Sequence, residues 1–147
     1  MVFNKCGGVI FNNSYSKVLC VMNTYSFQGK EFKWGLPGGS IENNERYKEC
    51  ARREIFEETN ILFNLKCFKS SHKMRNYLMY VFHINENNLD IKINDKNEIQ
   101  KLEWKSLEEL KHLTWNNQIK CLMTRINSLE NKSFYGYYKN IQYLSCK

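Results

Sequence analysis

The segment from Glu45 to Asn60 constrains the fold most strongly. At about 100° per residue, Tyr47, Cys50, Ala51 and Ile55 fall on one side of a helix of about four turns, the side that must lie against other protein. Asn43 or Asn44 is placed to cap this helix, and Glu45 falls in its first turn. Asn60, a residue that tolerates positive φ, ends it. Glu54, Glu57 and Glu58 lie within or beside the apolar sector, so their carboxylates are directed toward protein.

Such a placement is costly. The carboxylates repel one another at i,i+3 and i,i+4 spacing, sit near the negative end of the helix dipole, and are partly desolvated. Arg53 offsets only part of this. A hard divalent cation, Mg²⁺ or Mn²⁺, prefers carboxylate oxygen and offsets the rest. The competing reading is a solvated helix face laced with salt bridges. Immediately upstream, Trp34-Gly35-Leu36-Pro37-Gly38-Gly39 holds the only proline of the chain and three of its seven glycines. This is a fixed-shape turn whose backbone approaches something closely, and next to an acidic helix it suits phosphoryl chemistry.

The remaining chain supplies a sheet. Cys6–Phe11 and Lys17–Met22 read as strands joined by a tight polar turn, and Leu62–Phe68, Tyr77–Ile84 and Glu98–Trp104 as further strands. Asn23–Lys33 and Asn85–Asn97 read as loops, Ser106–Leu110 as a short capped helix and Asn116–Leu129 as an amphipathic one. Strands interleaved with helices predict an α/β fold in one domain spanning residues 1–147, with a sheet between helices. The stretch Phe134–Tyr138, with Lys132, Lys139 and Lys147 around it, either folds back on the core or stacks bases.

The longest apolar run, Tyr77–Phe82, is too short to span a bilayer, and no export signal opens the chain, so no membrane partner and a cytoplasmic location are expected. The six cysteines form no C-x-x-C pair and are expected to be free thiols in a reducing compartment. A formal charge of +7 favours anionic partners, from phosphorylated small molecules to RNA, without choosing among them.

From Gly39 to Ile61 the chain resembles the Nudix hydrolases, whose signature is G-x5-E-x7-R-E-U-x-E-E-x-G-U with U a bulky aliphatic residue. Gly39, Glu45 and Arg53-Glu54-Ile55-Phe56-Glu57-Glu58-Thr59-Asn60-Ile61 match it at the required spacing, except that Asn60 stands where the family has glycine. The preceding Trp34–Gly38 segment is also typical of the family. The resemblance implies a Nudix-type α/β/α sandwich with a mixed sheet. It implies Glu54, Glu57 and Glu58 as metal ligands, a Gly39 carbonyl in the metal shell, and an Arg53 that orients the glutamates with support from Glu45. Many members use a further glutamate outside the box as ligand or general base, and Glu98 is the candidate here. Gly38 and Gly39 would bind the phosphates, while Trp34, with Tyr25 and Phe32, either meets a nucleotide base or packs internally.

The implied activity is metal-dependent cleavage of a phosphate anhydride in a nucleoside diphosphate-linked substrate: a free nucleotide, a nucleotide derivative or a capped RNA 5′ end. Two alternatives stand beside it. One is a binding module without hydrolysis; the other is an isoprenoid diphosphate isomerase, whose extra catalytic cysteine has no assignable counterpart here.

Overall fold

A computed structural model describes residues 2–127. Its framework is a mixed six-stranded sheet. Strands β1 (Lys5–Asn12) and β2 (Lys17–Asn23) form an antiparallel hairpin. The Asn12 side chain closes its turn by accepting from the backbone N–H groups of Ser16 and Lys17, both at 2.9 Å. A short strand β3 (Gly38–Ser40) pairs antiparallel with the start of β1. Strands β4 (Ser71–Met74), β5 (Tyr77–Ile84) and β6 (Ile99–Ser106) complete the sheet, in the order β4-β5-β1-β2-β6. The β1–β5 pair is parallel; the others are antiparallel.

Side chains alternate along the central strands, and two cores result. Cys6, Ile10, Leu19, Tyr80 and Phe82 face helix α2 (Tyr47–Thr59), which buries Cys50, Ala51 and Ile55 against them. On the opposite face Val9, Phe11, Val18, Met79 and Val81 meet Ile119, Leu122, Met123 and Ile126 of helix α4 (Asn117–Asn127). Two short helices are also present, α1 (Thr24–Gln28) and α3 (Leu107–Lys111). The arrangement is the expected α/β/α sandwich, and α3 carries the expected cap: Ser106 and Glu109 form a reciprocal capping box. No helix among the described residues is long and apolar enough to cross a membrane.

Several local expectations need correction. The Glu42–Glu45 segment is a turn, with Glu45 N–H donating to Glu42 O at 3.1 Å and Asn44 at φ 63°, so α2 starts only at Tyr47 and Glu45 precedes it. Residues 62–68 are not a strand: Asn64 caps a single 3₁₀ turn at Leu65–Cys67. Helix α1 occupies part of the expected 23–33 loop, started by the Asn23 side chain accepting from Ser26 N–H at 2.7 Å. Cys6, Cys20, Cys50 and Cys121 are free thiols, as expected. Phe134–Tyr138 lies outside the described residues.

Candidate active site

The glycine turn is held against β1 so tightly that side chains are excluded. A Cβ on Gly7 would lie 2.1 Å from Pro37 O, and one on Gly38 would lie 2.8 Å from Cys6 O. Gly8 N–H donates to Pro37 O at 3.0 Å. This places Gly38 and Gly39 over the face of α2. Gly38 N–H donates to Glu58 Oε2 at 2.7 Å, while the carboxylate of Glu54 packs directly on Gly39 Cα.

Arg53 ties these parts together. Its guanidinium grips Glu45 with two bonds, Nε to Oε2 at 2.7 Å and Nη2 to Oε1 at 2.9 Å. The same group donates to Glu54 Oε1 at 2.8 Å, Glu57 Oε2 at 3.4 Å and Ser40 O at 3.0 Å. Its planar fork suits several carboxylates at fixed angles in a way an ammonium does not. Arg53 thus joins the turn before α2, strand β3 and the helix itself.

The end of α2 recruits the last element. Asn60 closes the helix in the left-handed conformation, φ 64°, as expected of the residue in the family's glycine position. Its Nδ2 donates to Asp90 O at 2.8 Å, and its Oδ1 accepts from Asn94 Nδ2 at 2.9 Å. Carbonyls that a helix end leaves unsatisfied are taken up by the same loop: Asn94 and Asp95 N–H donate to Glu57 O at 3.0 and 2.8 Å. Glu98 is fixed in turn, since its carbonyl accepts from Thr24 N–H at 2.7 Å.

Glu54, Glu57 and Glu98 consequently converge, each offering a carboxylate oxygen within 4.8 Å of the others. Glu58 lines the same groove but is held back by Gly38 N–H, and the Gly39 carbonyl accepts weakly from Cys50 Sγ at 3.8 Å. The groove has a volume of about 650 Å³ and is walled by both glycines, Arg53, Tyr25, Lys33, Tyr77 and Gln118. Trp34 is not brought to it. The ring is 5% exposed, packs in the core facing α4, and carries Lys105 Nζ 4.3 Å from its centroid. Asp95, Asn97 and Glu42 also line the groove, and sequence reasoning did not single them out. Only their distance to Glu57 and Arg53 in space marks them, so no local pattern could have found them.

The electrostatics are those of a site short of positive charge. Burial raises Glu54 to about 7 despite the opposing Arg53, with Glu57 and Glu98 adding to the rise. Burial also raises Glu57, against Arg53, and lifts Glu58 well above the usual carboxylate range, against the Gly38 N–H. Glu45 is lowered by its hydrogen bonds from Arg53. One guanidinium does not neutralise this cluster. A cluster of hard oxygen donors this close together fits a divalent cation.

Fold and site together define an α/β/α protein that presents a carboxylate cluster, braced by an arginine, beside a glycine-turn backbone. The chain belongs to the Nudix hydrolase family: residues 4–126 match the NUDIX domain. It is 32% identical over 124 residues to the nucleoside triphosphatase NudI of Escherichia coli, covering 73% of this chain and 84% of that protein. It is 27% identical over 128 residues to the m7GpppN-mRNA hydrolase of Saccharomyces cerevisiae, covering 84% of this chain but only 12% of the yeast protein. In fold it is similar to a C. elegans Ap4A hydrolase (TM-score 0.60, 20% identity, 84% of this chain and 96% of that one). The NUDIX domain of Shewanella oneidensis NrtR, complexed with ADP ribose, superposes with a TM-score of 0.59 at 18% identity, over 82% of this chain and 83% of that one.

Proposed function

We propose that this chain is a divalent-metal-dependent pyrophosphohydrolase acting on a nucleoside diphosphate-linked substrate: a free nucleotide, a nucleotide derivative or a capped RNA 5′ end. The observation that carries the reading is the convergence of Glu54, Glu57 and Glu98 beside the Gly38-Gly39 backbone in one groove. The relatives support it, since their names refer to nucleoside triphosphates, an mRNA cap and ADP ribose.

Glu54, Glu57 and Glu98 are the residues that would hold Mg²⁺ or Mn²⁺, with Glu58 behind them. When bound, such an ion polarises phosphoryl oxygen and lowers the pKa of a coordinated water. The chain's own residues do the rest. Arg53 fixes the rotamers of Glu54 and Glu57, so the carboxylates meet substrate already oriented. Gly38 and Gly39 let the phosphate chain approach the backbone without a side chain intervening. Glu57 and Glu98 are the carboxylates open to the groove, and one of them takes the proton of the water that attacks phosphorus.

The test is a substrate panel of nucleoside triphosphates, ADP-ribose, dinucleoside polyphosphates and cap-labelled RNA, with Mg²⁺ or Mn²⁺ and products identified by mass. Turnover that collapses in Glu57→Gln and Glu98→Gln is expected. Intact metal binding with no turnover of any substrate sinks the reading in favour of a binding module.

A further inference from the structure

Between β2 and the glycine turn the chain makes an excursion, residues 24–33, that carries three aromatic rings on its outer surface: Tyr25 is 77% exposed, Phe32 46% and Phe27 37%. The Asn23 side chain starts α1, and the carbonyl of buried Ser26 accepts from the backbone N–H groups of Glu31 at 3.0 Å and Phe32 at 3.3 Å. These bonds fix the excursion without drawing its rings inward. Phe32 stands at φ 52°, a left-handed conformation that is costly for a bulky residue. An exposed ring kept on strained backbone is a placement that a ligand explains and packing does not.

The excursion is rooted at the carboxylate cluster. Thr24 N–H donates to Glu98 O at 2.7 Å, and Thr24 Oγ1 accepts from Gln100 Nε2 at 3.1 Å. Tyr25 and Lys33 stand in the wall of the groove, whereas Phe27 and Phe32 do not line it. Those two rings meet edge to face with centroids 6.0 Å apart, and Lys101 of β6 holds its Nζ 5.7 Å from the Phe27 centroid. Lys30, Lys33 and Lys101 stand here against one carboxylate, Glu31, which Lys33 pairs at 3.5 Å.

Exposed rings among lysines suit unpaired bases, which stack on the rings while the ammonium groups follow the phosphates. Recognition of phosphate alone would use the lysines and leave the rings without a role. A free nucleotide whose phosphates lie beside Gly38 and Gly39 reaches Tyr25 at most. Rings outside the groove are met only by a ligand that continues past its rim.

We propose that the 24–33 excursion binds single-stranded nucleic acid continuing from the phosphates of the substrate, with one base on Tyr25 at the rim and later ones on Phe32 and Phe27. This rests on the hydrolase reading for the place of the phosphates, and it narrows the substrate class to the 5′ end of a polynucleotide.

Methylene-bridged triphosphates, whose P–C–P links resist cleavage, separate binding from turnover. Calorimetric titration in Mg²⁺ compares a nucleoside triphosphate, a single-stranded oligoribonucleotide of about ten nucleotides with the same 5′ group, and a blunt duplex of equal length. The single strand is expected to bind about a hundredfold more tightly than the nucleoside triphosphate, and the duplex, whose bases are already stacked, to lose most of that gain. Phe32→Asn, which suits positive φ, and Tyr25→Ser are each expected to weaken the single strand about tenfold; Phe32→Asn leaves the nucleoside triphosphate unchanged. A duplex bound as tightly as the single strand, single-strand affinity untouched by both substitutions, or equal weakening of both probes by Phe32→Asn overturns the proposal. Failure of the hydrolase reading shows separately, as absent turnover of the unmodified substrates by the wild-type chain.

Discussion

Gly39 and Glu54 are in such close contact that a Cβ on the glycine would lie 2.5 Å from the carboxylate carbon. The atom met is the end of a flexible side chain, so Gly39→Ala displaces Glu54 rather than the backbone. We expect the variant to fold with a modest fall in Tm but to lose about a hundredfold in turnover, since an ångström of misplacement suffices for that. Thermal unfolding and steady-state kinetics read the two effects separately. Unchanged kinetics would mean that the position of Glu54 does not matter.

Arg53 holds Glu45 with a two-bond fork and reaches Glu54 and Glu57 with its remaining nitrogens. Lysine keeps the charge but cannot make these bonds together. Arg53→Lys is therefore expected to lower kcat by about one to two orders of magnitude with a smaller effect on KM, because it disorients groups used in the reaction. Kinetics within twofold of wild type would show that charge alone is needed at residue 53.

Raised carboxylates set the sign of the pH dependence of the metal-free protein. Glu54 stands at about 7 in the folded chain against an ordinary 4.5, and Glu57 and Glu58 are shifted the same way. Between those values the folded form binds more protons than the unfolded form, so stability falls as pH rises from about 4.5 to 7. In EDTA, Glu54→Gln is expected to flatten this decline relative to wild type, and Mg²⁺ or Mn²⁺ to stabilise wild type progressively more as pH rises. Denaturation at several pH values checks it; a wild-type curve that rises relative to the variant contradicts it.

Asn60 combines two tasks that glycine would divide. It accepts positive φ, and its amide pins the loop that delivers Asp95 and Glu98. Asn60→Gly keeps the helix end but frees the loop, so metal affinity is expected to drop several-fold with little change in Tm. Asn60→Ala adds backbone strain of about 1 kcal/mol and should lower Tm as well. Calorimetric titration with Mn²⁺ beside thermal scans reads the two tasks separately; wild-type Mn²⁺ affinity in Asn60→Gly removes the argument for the side chain.

How much of this could be read from the sequence follows from how local each signal is. Helix α2, its Asn60 terminus and the hairpin of β1 and β2 carry period and capping signals within their own residues. Strand β4 does not: Ser71-His72-Lys73-Met74 shows no apolar alternation and is a strand only because β5 pairs with it. The start of α2 is not legible because Asn43-Asn44 resembles a cap, whereas Asn44 is committed to the preceding turn. At the site, the helix sector and the family box together mark Glu54, Glu57 and Glu58. That Glu58 is turned to Gly38 N–H, while Glu98 stands closer to the other two, depends on backbone bonds from loops distant in sequence. Trp34 illustrates the converse, since an aromatic beside a glycine turn reads equally well as wall or as filling.

The parallel pairing of β1 with β5 along Lys5–Asn12 and Tyr77–Ile84 bears on how the protein reaches its working state. Two strands so distant in the chain meet only after a long loop has closed, an entropic barrier that slows folding and that local helix formation does not lower. Glu54 and Glu57 become neighbours as soon as α2 winds, but Glu98 arrives only when β6 docks on β2. A cation present during synthesis therefore finds an incomplete cage until the sheet is zipped, and it rewards the finished topology instead of guiding the chain toward it.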